Sequence, residues 1–418
     1  MVAALTRVFG VHNLALAEDV VQDALCRALE VWKLRGVPEN PSAWLMATAR
    51  HRALDVLRRE RTARRFSPEL ARLLETEATL APGVEELFEP NAIRDDQLRM
   101  MFSCCHPSLT KEAQVALVLH VLCGLGTEEI AKAFLVSHAA AEKRITRAKK
   151  VLAGSQRLFE IADGEGLAPR LSAVHRALYL LFNEGYHGAG PESAVRVELC
   201  QEAMRLAAML LEHPSTATPV THALLALMCF HAARMPARLD PSGRLTCLED
   251  QDRARWDPAL LARGWVQLER SASGPELSAY HVEAAIAALH ARASRAEDLP
   301  WGEIVGLYDR LMAIRPSPVV ALSRAIAVAQ LEGPERGREE LDAIADRDRL
   351  VSYPFFHAAL GELDLRRGKP DLARRHFRAA LAVARNPTER EFLARRVEAC
   401  PTDPRGGGPA ARPGLRPP

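Results

Sequence analysis

The chain has 418 residues, and 48% of them are hydrophobic, which is enough apolar material for buried cores and excludes a wholly disordered protein. This length suits two or three domains better than one. The 55 basic and 53 acidic residues nearly balance, so the net charge of +2 excludes no class of partner. No apolar run approaches the roughly 20 residues of a membrane span, and no signal-peptide pattern is present, which predicts a cytoplasmic protein without a membrane partner.

The residue pattern predicts an all-α protein, because few segments alternate apolar and polar residues. Changes in composition divide the chain into five segments. Helical residues 1–65 become strongly basic toward their end, and an acidic, proline-broken linker follows at 66–98. Compact helices are expected at 99–155 and a long run of amphipathic helices at 156–400. The Pro/Gly-rich tail at 401–418 is expected to be disordered.

The eight cysteines are scattered, and no C-x-x-C pair occurs. Cys104 and Cys105, followed by His106, are the only grouping that suggests a metal site. Neighbouring residues on a helix point in different directions, so buried reduced thiols are the expected state and no metal is predicted. The sequence also contains no nucleophile–base pair and no phosphate-binding loop, so we expect neither catalysis nor a cofactor.

The first helical block is centred on residues 16–30 and has a clear helical period. Its apolar stripe is Leu14, Ala17, Val21, Ala24, Ala28 and Trp32. Asp19, Gln22 and Asp23 are spaced i, i+3 and i+4, so they share the opposite, exposed face. Taken alone, such an acidic face is usually only solvated.

The second helix is expected to begin at Asn40-Pro41, a capping residue followed by proline at the first helical position. Its second half is dense in arginine: Arg50, Arg52, Arg58, Arg59, Arg61, Arg64 and Arg65. Such a helix suits a polyanion, because each phosphate that it neutralises releases counterions. Trp44 has two readings of similar weight. It is either an aromatic platform for stacked single-stranded bases or an anchor in the protein core.

Residues 110–153 read as a helix-turn-helix. Thr110 caps one helix, Thr127 a short second one, and Ser137 the last, 138–153. In this last helix Ala141, Ile145 and Ala148 are predicted to face the core. The residues predicted to be exposed are His138, Ala140, Lys143, Arg144 and Arg147. A recognition helix reads base edges in the major groove from its N-terminal half. The alternative is a plain helical hairpin with a basic face.

The C-terminal part contains a segment, 358–381, that fits a tetratricopeptide repeat. Its matching positions are Leu360, Gly361, Gly368, Ala373, Phe377 and Ala380. Stacked repeats form a concave surface, so a protein partner is expected there. The segment LEDQDRARWD at 248–257 is predicted to be a capped, salt-bridged helix start in preference to a catalytic carboxylate pair. Residues 183–186, Asn-Glu-Gly-Tyr, are predicted to form a turn.

Together these segments resemble the extracytoplasmic-function sigma factors of bacterial RNA polymerase. LAEDVVQDALCRALE is similar to that family's region 2.2, NPSAWLMATARHRALDVLRRERTAR to its regions 2.3 and 2.4, and LGTEEIAKAFLVSHAAAEKRITRAKKVL to its region 4. The rest resembles a subgroup with a long helical extension, through DDQLRMMFSCCHPSLTKEAQVALVLHVL, LYLLFNEGYHG, LEDQDRARWD and SPVVALSRAIAVAQLEGP. The resemblance therefore spans nearly the whole chain.

The resemblance implies a sigma factor that recruits core RNA polymerase, recognises promoter DNA and helps to melt it. Asp19, Gln22 and Asp23 would then face the polymerase clamp helices. The loop 33–42 and the helix 44–59 would meet the −10 element and the non-template strand, and the helix 138–153 would meet the −35 element. The −10 residues implied are Trp44, Arg50, Arg52, Arg58 and Arg59.

One departure from the family concerns the N-terminus, since members usually have a further helix before the equivalent of Leu5. Two readings remain, a start codon assigned too late or an incomplete region 2, and the second would affect promoter melting. Two other functions are also open at this point. One is a helix-turn-helix regulator that binds DNA without polymerase, and the other is a repeat scaffold whose basic helices bind only proteins.

Overall fold

The computed structural model describes residues 1–9, 13–63, 90–106, 108–134, 136–153, 167–187, 196–242, 244–384 and 386–400. Within these ranges the chain is built of helices, and its extended pairing is limited to one β-bridge between Leu239 and Leu245. The predicted all-α fold is therefore confirmed. The predicted tail at 401–418 lies outside the described residues, as does the part of the predicted linker at 66–89.

Nineteen α-helices are present in the described part of the chain. They are α1 Val2–Phe9, α2 Leu14–Arg35, α3 Pro41–Ala63, α4 Pro90–Cys104, α5 Lys111–Leu117, α6 Thr127–Ala133, α7 His138–Ala153, α8 Leu167–His187, α9 Val197–Leu211, α10 Pro219–Ala233, α11 Met235–Arg238, α12 Pro258–Ser271, α13 Ala279–Arg292, α14 Trp301–Ile314, α15 Pro318–Glu332, α16 Pro334–Asp342, α17 Pro354–Arg366, α18 Pro370–Val383 and α19 Pro387–Ala399. They fall into two compact units. The first unit consists of residues 1–182 and 201–216, and the second of 183–200 and 217–418.

The first unit begins with three helices that share one apolar core. α1 contributes Leu5 and Phe9, α2 contributes Val20, and α3 contributes Met46 and Ala49. The predicted cap of α3 is confirmed, because the Asn40 side-chain oxygen accepts a hydrogen bond from the Ala43 amide at 3.0 Å. This cap fixes where α3 begins, and α3 then packs along α2.

Helices α4 to α7 complete the helix-turn-helix region of the first unit. α4 begins at Pro90, inside the segment predicted as linker, because proline is favoured at the first helical position. The predicted cap by Thr110 is confirmed: its side chain accepts from the Ala113 amide at 3.3 Å. After α5 the chain makes one π-turn, Val118–Leu122, before Gly124 adopts a φ of 68°. The turn leads directly into α6.

The boundary expected at residue 156 is not the boundary of the compact units. Residues 167–182 of α8 and 201–216, which include most of α9, belong to the first unit. One bond that ties them to it joins Arg205 Nη1 to the Gln97 side-chain oxygen at 3.3 Å. The first unit is thus larger than the two predicted sigma regions.

The second unit is organised around α10, which is buried along nearly its whole length. α12 and α13 pack on α10, and Gly264 of α12 lies against the ring of Phe230, where a Cβ atom would approach the ring to 2.8 Å. The segment 248–257 corrects the prediction made for it. Asp257 does cap α12, by accepting from the Ala259 and Leu260 amides, but the preceding residues form two 3-10 turns.

The residues Asn183–Tyr186 also differ from the prediction, since they continue α8 and do not form a turn. The reason is a close approach between backbones. A Cβ atom at Gly185 would lie 2.8 Å from the Arg196 carbonyl oxygen, and the Arg196 amide donates to the Gly185 carbonyl at 2.7 Å. Glycine is therefore required in the helix at this contact.

Helices α14 to α19 pack on one another in chain order, as expected of stacked helical repeats. The α17/α18 pair is closely packed at the small residues singled out from the sequence. Gly361 lies directly under the Phe377 ring, and Ala373 and Ala380 are fully buried. Gly368 has a φ of 71° in the connecting turn, a conformation that glycine adopts without strain. No described helix is long and apolar enough to cross a membrane.

Candidate nucleic-acid and polymerase interface

The outer face of α2 carries the three polar residues singled out from the sequence. Asp19, Gln22 and Asp23 are all exposed. The opposite face is buried, as predicted from the helical period, at Leu14, Ala17, Val21, Ala24 and Ala28, with Val20 in addition. The described structure leaves the polar face open to solvent.

Two apolar residues on the same helix were missed by the sequence reasoning. Leu25 is 45% exposed and Leu29 is 76% exposed, although both are large and hydrophobic. Leu25 and Leu29 are spaced i, i+3 and i, i+7 from Gln22, so they extend the polar face into a mixed polar and apolar surface. We call Asp19, Gln22, Leu25 and Leu29 the α2 face. Their position outside the buried stripe was the signal in the sequence.

The start of α3 brings two tryptophans together. The rings of Trp32 and Trp44 are 5.5 Å apart between centroids and meet edge to face. Trp44 is half-buried, so one part of it packs in the protein while another remains accessible. Ahead of it, the loop 36–40 is largely exposed, and Val37 at its centre is 66% exposed. An aromatic and an apolar side chain thus lie at one end of the basic helix.

The arginines of α3 do not share one environment. Arg52 is exposed but its Nε lies 3.1 Å from the Asp23 carboxylate, so part of its charge is compensated by α2. Arg50 is half-buried. The side chains of Arg58 and Arg59 lie outside the described residues. The contact between Asp23 and Arg52 joins a residue predicted for polymerase binding to one predicted for −10 DNA binding.

The N-terminal half of α7 presents the predicted reading surface. Ser137 caps the helix by accepting from the Ala140 amide at 3.3 Å. Ala141, Ile145, Ala148 and Leu152 are buried, as predicted. His138, Ala140, Lys143 and Arg147 are exposed on the other side.

Arg144 corrects the prediction that it is fully exposed. Its guanidinium carbon lies 5.3 Å from the centroid of the Phe134 ring, and the residue is half-buried. A guanidinium over an aromatic face is held by the ring's electrostatic attraction for cations. Arg147, one helical turn on, is the arginine of this pair that is free to reach outward.

A contact between α2 and α7 connects the two regions inside the first unit. Lys149 Nζ lies 2.5 Å from a carboxylate oxygen of Glu18, and His120 Nε2 lies 3.9 Å from the other oxygen. All three side chains are less than one-third exposed. This contact was not predictable from the sequence, because Glu18 and Lys149 are far apart along the chain. It places the C-terminal part of α7 against α2.

Cys104 and Cys105 are buried, free thiols, as predicted. Burial raises the pKa of Cys105 to about 12, and burial also raises the pKa of Cys104 well above its usual value. Both thiols are therefore protonated at neutral pH. Among the described residues, no group of three or more His, Cys, Asp or Glu side chains is placed to hold a metal ion.

Two family models match the helices just described. Sigma-70 region 2 matches residues 1–63, and Sigma-70 region 4 matches residues 99–152. The chain belongs to the extracytoplasmic-function-like sigma factors with a C-terminal extension. Its role is promoter recognition in transcription initiation, and the two regions imply core RNA polymerase and promoter DNA as partners. This family acts by binding and positioning rather than as enzymes.

The extension of this sigma factor matches a family of unknown function, DUF6596, over residues 170–272. The sigma factor is also similar along nearly its whole length to an uncharacterized protein of Rhizobium meliloti (strain 1021). The two are 38% identical over 403 residues, which cover 96% of this chain and 93% of the relative. No solved structure matches the chain.

Proposed function

We propose that this sigma factor docks on core RNA polymerase through the α2 face and Asp23, contacts the −10 element with α3 and reads the −35 element with α7. The observation that carries the proposal is the two-sided character of α7. One side is a continuous buried stripe. The other exposes His138 and Lys143 in the N-terminal half, which enters a major groove, and Arg147 one helical turn after Lys143. Because the chain belongs to a sigma factor family, promoter DNA is the expected ligand of that surface.

The proposed polymerase contact is supported by the mixed character of the α2 face. Exposed Asp19 and Gln22 can form hydrogen bonds with a partner, and Leu25 and Leu29 offer apolar area that water solvates poorly. Interfaces commonly combine an apolar centre with polar groups that set the register. Leu29 is 76% exposed, so a partner that covers it would bury more of its apolar side chain than of Leu25.

The proposed −10 contact rests on the half-buried Trp44 beside the exposed loop 36–40 and the arginines of α3. Trp44 serves both readings left open by the sequence: its edge packs with Trp32, and its remaining surface is available to a base. Arg52 contributes after exchange of its Asp23 contact for phosphate, since the pair is solvent-exposed and weakly held.

We test the −35 proposal with Arg147→Ala. If Arg147 donates to a guanine, its loss costs about 1–3 kcal/mol of promoter affinity and relaxes specificity at one −35 position. The measurement is the affinity of the reconstituted polymerase holoenzyme for a panel of single-base −35 variants at several salt concentrations.

Lys150→Ala is the matched control, because Lys150 is an exposed cation nearer the C-terminal end of the same helix. Its loss is expected to lower affinity evenly across the panel and to reduce the salt dependence. Equal affinity of the parent and Arg147→Ala chains for every −35 variant would exclude base reading by Arg147.

We further propose that the extension regulates the sigma regions. A chain segment of this size exceeds what two small helical domains need for stability. Its stacked helices α14 to α19 are of the kind that bind a protein partner. Regulation requires that the extension, or a partner bound to it, interacts with different strength with the active and inactive states.

A further inference from the structure

Three arginines of the second unit lie against two aromatic rings, two of them at Trp256 and one at Tyr186. Arg234 follows α10, Arg238 ends α11, and Arg253 lies in the 3-10 turn that precedes Trp256. The guanidinium carbon of Arg253 is 4.8 Å from the Trp256 ring centroid, and that of Arg234 is 5.6 Å away. Arg238 lies 4.0 Å above the ring of Tyr186 and adds its charge to that of Arg234.

Neutral groups hold these arginines in place. Arg253 Nη1 donates to the carbonyl oxygens of His290 at 2.5 Å and Ala293 at 2.8 Å. Arg234 Nε donates to the Gln251 side-chain oxygen at 3.4 Å. Arg238 Nη1 donates to the Tyr186 carbonyl oxygen. These bonds fix geometry, but none of them supplies a negative charge.

No carboxylate of the described chain forms an ion pair with any of the three arginines. Asp298 raises the pKa of Arg253 through a longer-range interaction, after burial has lowered it. Elsewhere in the same unit the pattern differs, since Arg324 pairs with Asp309 at 2.6 Å and Glu340 at 2.5 Å. Arg238 also interacts at longer range with Glu389, whose pKa it lowers against the effect of burial, so among the described residues the three arginines have carboxylates only beyond direct contact.

Buried polar atoms at this place also lack a partner. The donors Arg253 Nη2 and Trp256 Nε1 are buried, and neither has a hydrogen-bond partner. His290 Nδ1 is buried and unpartnered as well, and it donates in one of its two tautomers. Burial, and then Arg234 and Arg253, lower the pKa of His290 to about 4, so its ring is neutral near pH 7. An unpaired buried donor is unfavourable, and an acceptor arriving from outside would remove that penalty.

The three arginines keep their positive charge, although burial and their mutual repulsion oppose it. Burial lowers the pKa of Arg234, and its positive neighbours Arg238 and Arg253 lower it further. Arginine nevertheless remains protonated in proteins, so the cluster stays cationic. All three arginine residues keep a partly exposed surface.

We propose that Arg234, Arg238 and Arg253, with Trp256 and His290, form a binding site for a small molecule that carries a phosphate or a comparable multiply charged oxyanion. Guanidinium groups match such oxyanions in planar, two-bond geometry, and the indole N–H adds a neutral donor. The site lies outside the promoter-facing helices. It therefore adds a ligand to this sigma factor beyond the proposed function.

The test is isothermal titration calorimetry of the full chain with sodium pyrophosphate, inorganic phosphate and citrate at constant ionic strength. Saturable binding of pyrophosphate to the parent is expected. Arg253→Gln, which removes the charge and shortens the side chain but keeps an amide N–H donor, is expected to lower the affinity at least tenfold. Arg292→Gln is the matched control, because Arg292 is exposed on the same helix as His290, and it should bind as the parent does.

Trp256→Phe provides a second variant, since it keeps an aromatic ring and removes the N–H. If Arg253→Gln does not fold, reduced affinity of Trp256→Phe supports the site and unchanged affinity contradicts it. The proposal is overturned if the parent binds none of the three anions, or if Arg253→Gln and Arg292→Gln bind pyrophosphate equally. Stronger binding of citrate than of pyrophosphate would keep the site but assign it to carboxylates.

Discussion

A single buried carboxylate holds three helices of the extension together. Asp364 of α17 is completely buried. It pairs with Arg338 of α16 at 3.0 Å, with Arg367 at 2.9 Å and with His376 of α18 at 3.4 Å. The Gly361–Phe377 contact closes the same helix pair from its apolar side. The polar and apolar contacts therefore enforce one register between α17 and α18.

Asp364→Ala is expected to destabilise the second unit by about 3–5 kcal/mol, because it leaves cationic partners without their buried counter-charge. Urea unfolding followed by circular dichroism measures the change. Asp342→Ala is the control, since Asp342 also pairs with Arg338 but is about half exposed, and its loss should cost below about 1 kcal/mol. Equal losses of unfolding free energy for the two substitutions would show that the burial of Asp364 does not determine how much this network stabilises the unit.

Residue exposure was predictable from the sequence wherever helical period alone decides it. The buried stripe of α7 and the open positions of Asp19 and Gln22 follow directly from spacing. Arg144 was not predictable in this way, because its environment depends on how the turn before α7 places Phe134. The cluster of three arginines beside Trp256 and Tyr186 was likewise not predictable, since it requires α10, α11 and a 3-10 turn to meet.

At the scale of elements, the contact between α2 and α7 limits what the first unit can reach. The −10 and −35 elements are about 25 base pairs apart, or about 85 Å along the DNA axis. α7 is about 24 Å long and α2 about 33 Å, and helices in contact lie about 10 Å apart. While Lys149 holds Glu18, the reading end of α7 stays within roughly 70 Å of the start of α3. We therefore expect the pair to open when the start of α3 and the N-terminal end of α7 contact both elements at the same time.

Glu18→Gln is expected to favour the open state by roughly 1–3 kcal/mol, a range between those of exposed and buried pairs. Promoter affinity of the holoenzyme, measured by fluorescence anisotropy at saturating core polymerase, should rise at least fivefold. Glu30→Gln is the control, because Glu30 is an exposed acid of the same helix, and it should leave affinity unchanged. A promoter affinity that is the same for Glu18→Gln and Glu30→Gln would contradict a closed state held by this pair.

The helices themselves were largely predictable because caps and proline mark their starts. Asn40, Thr110 and Ser137 all cap as expected. The sequence misplaced the start of α4, since Pro90 suggested a linker but opens a helix. It also misread Asn183–Tyr186 as a turn, because the need for Gly185 comes from a distant backbone contact and not from local conformation.

The division of the chain into two compact units determines where the extension should be removed in a truncation experiment. A cut near residue 158 would remove residues 167–182 and 201–216, which belong to the first unit. The loss of activity that followed would report unfolding and not regulation. A cut after Thr216 keeps these residues and removes most of the second unit.

A chain ending at Thr216 is expected to differ from the full chain in promoter-dependent transcription. An increase indicates that the extension inhibits the sigma regions, and a decrease indicates that it supplies a required contact. Retained helicity by circular dichroism and retained core polymerase binding serve as controls for folding. Identical transcription by both chains, with and without cell extract to supply a partner, would show that the extension does not regulate initiation.

In vitro run-off transcription with core polymerase and genomic promoter fragments tests whether this chain directs core RNA polymerase to promoters through α2 and α7. Discrete transcripts are expected with the parent chain and with Glu30→Gln. A strong loss is expected with Asp19→Ala/Gln22→Ala, because truncation of interface groups costs a few kcal/mol. A parent chain that binds promoter DNA but yields no transcript from any fragment would instead be a regulator that acts without polymerase.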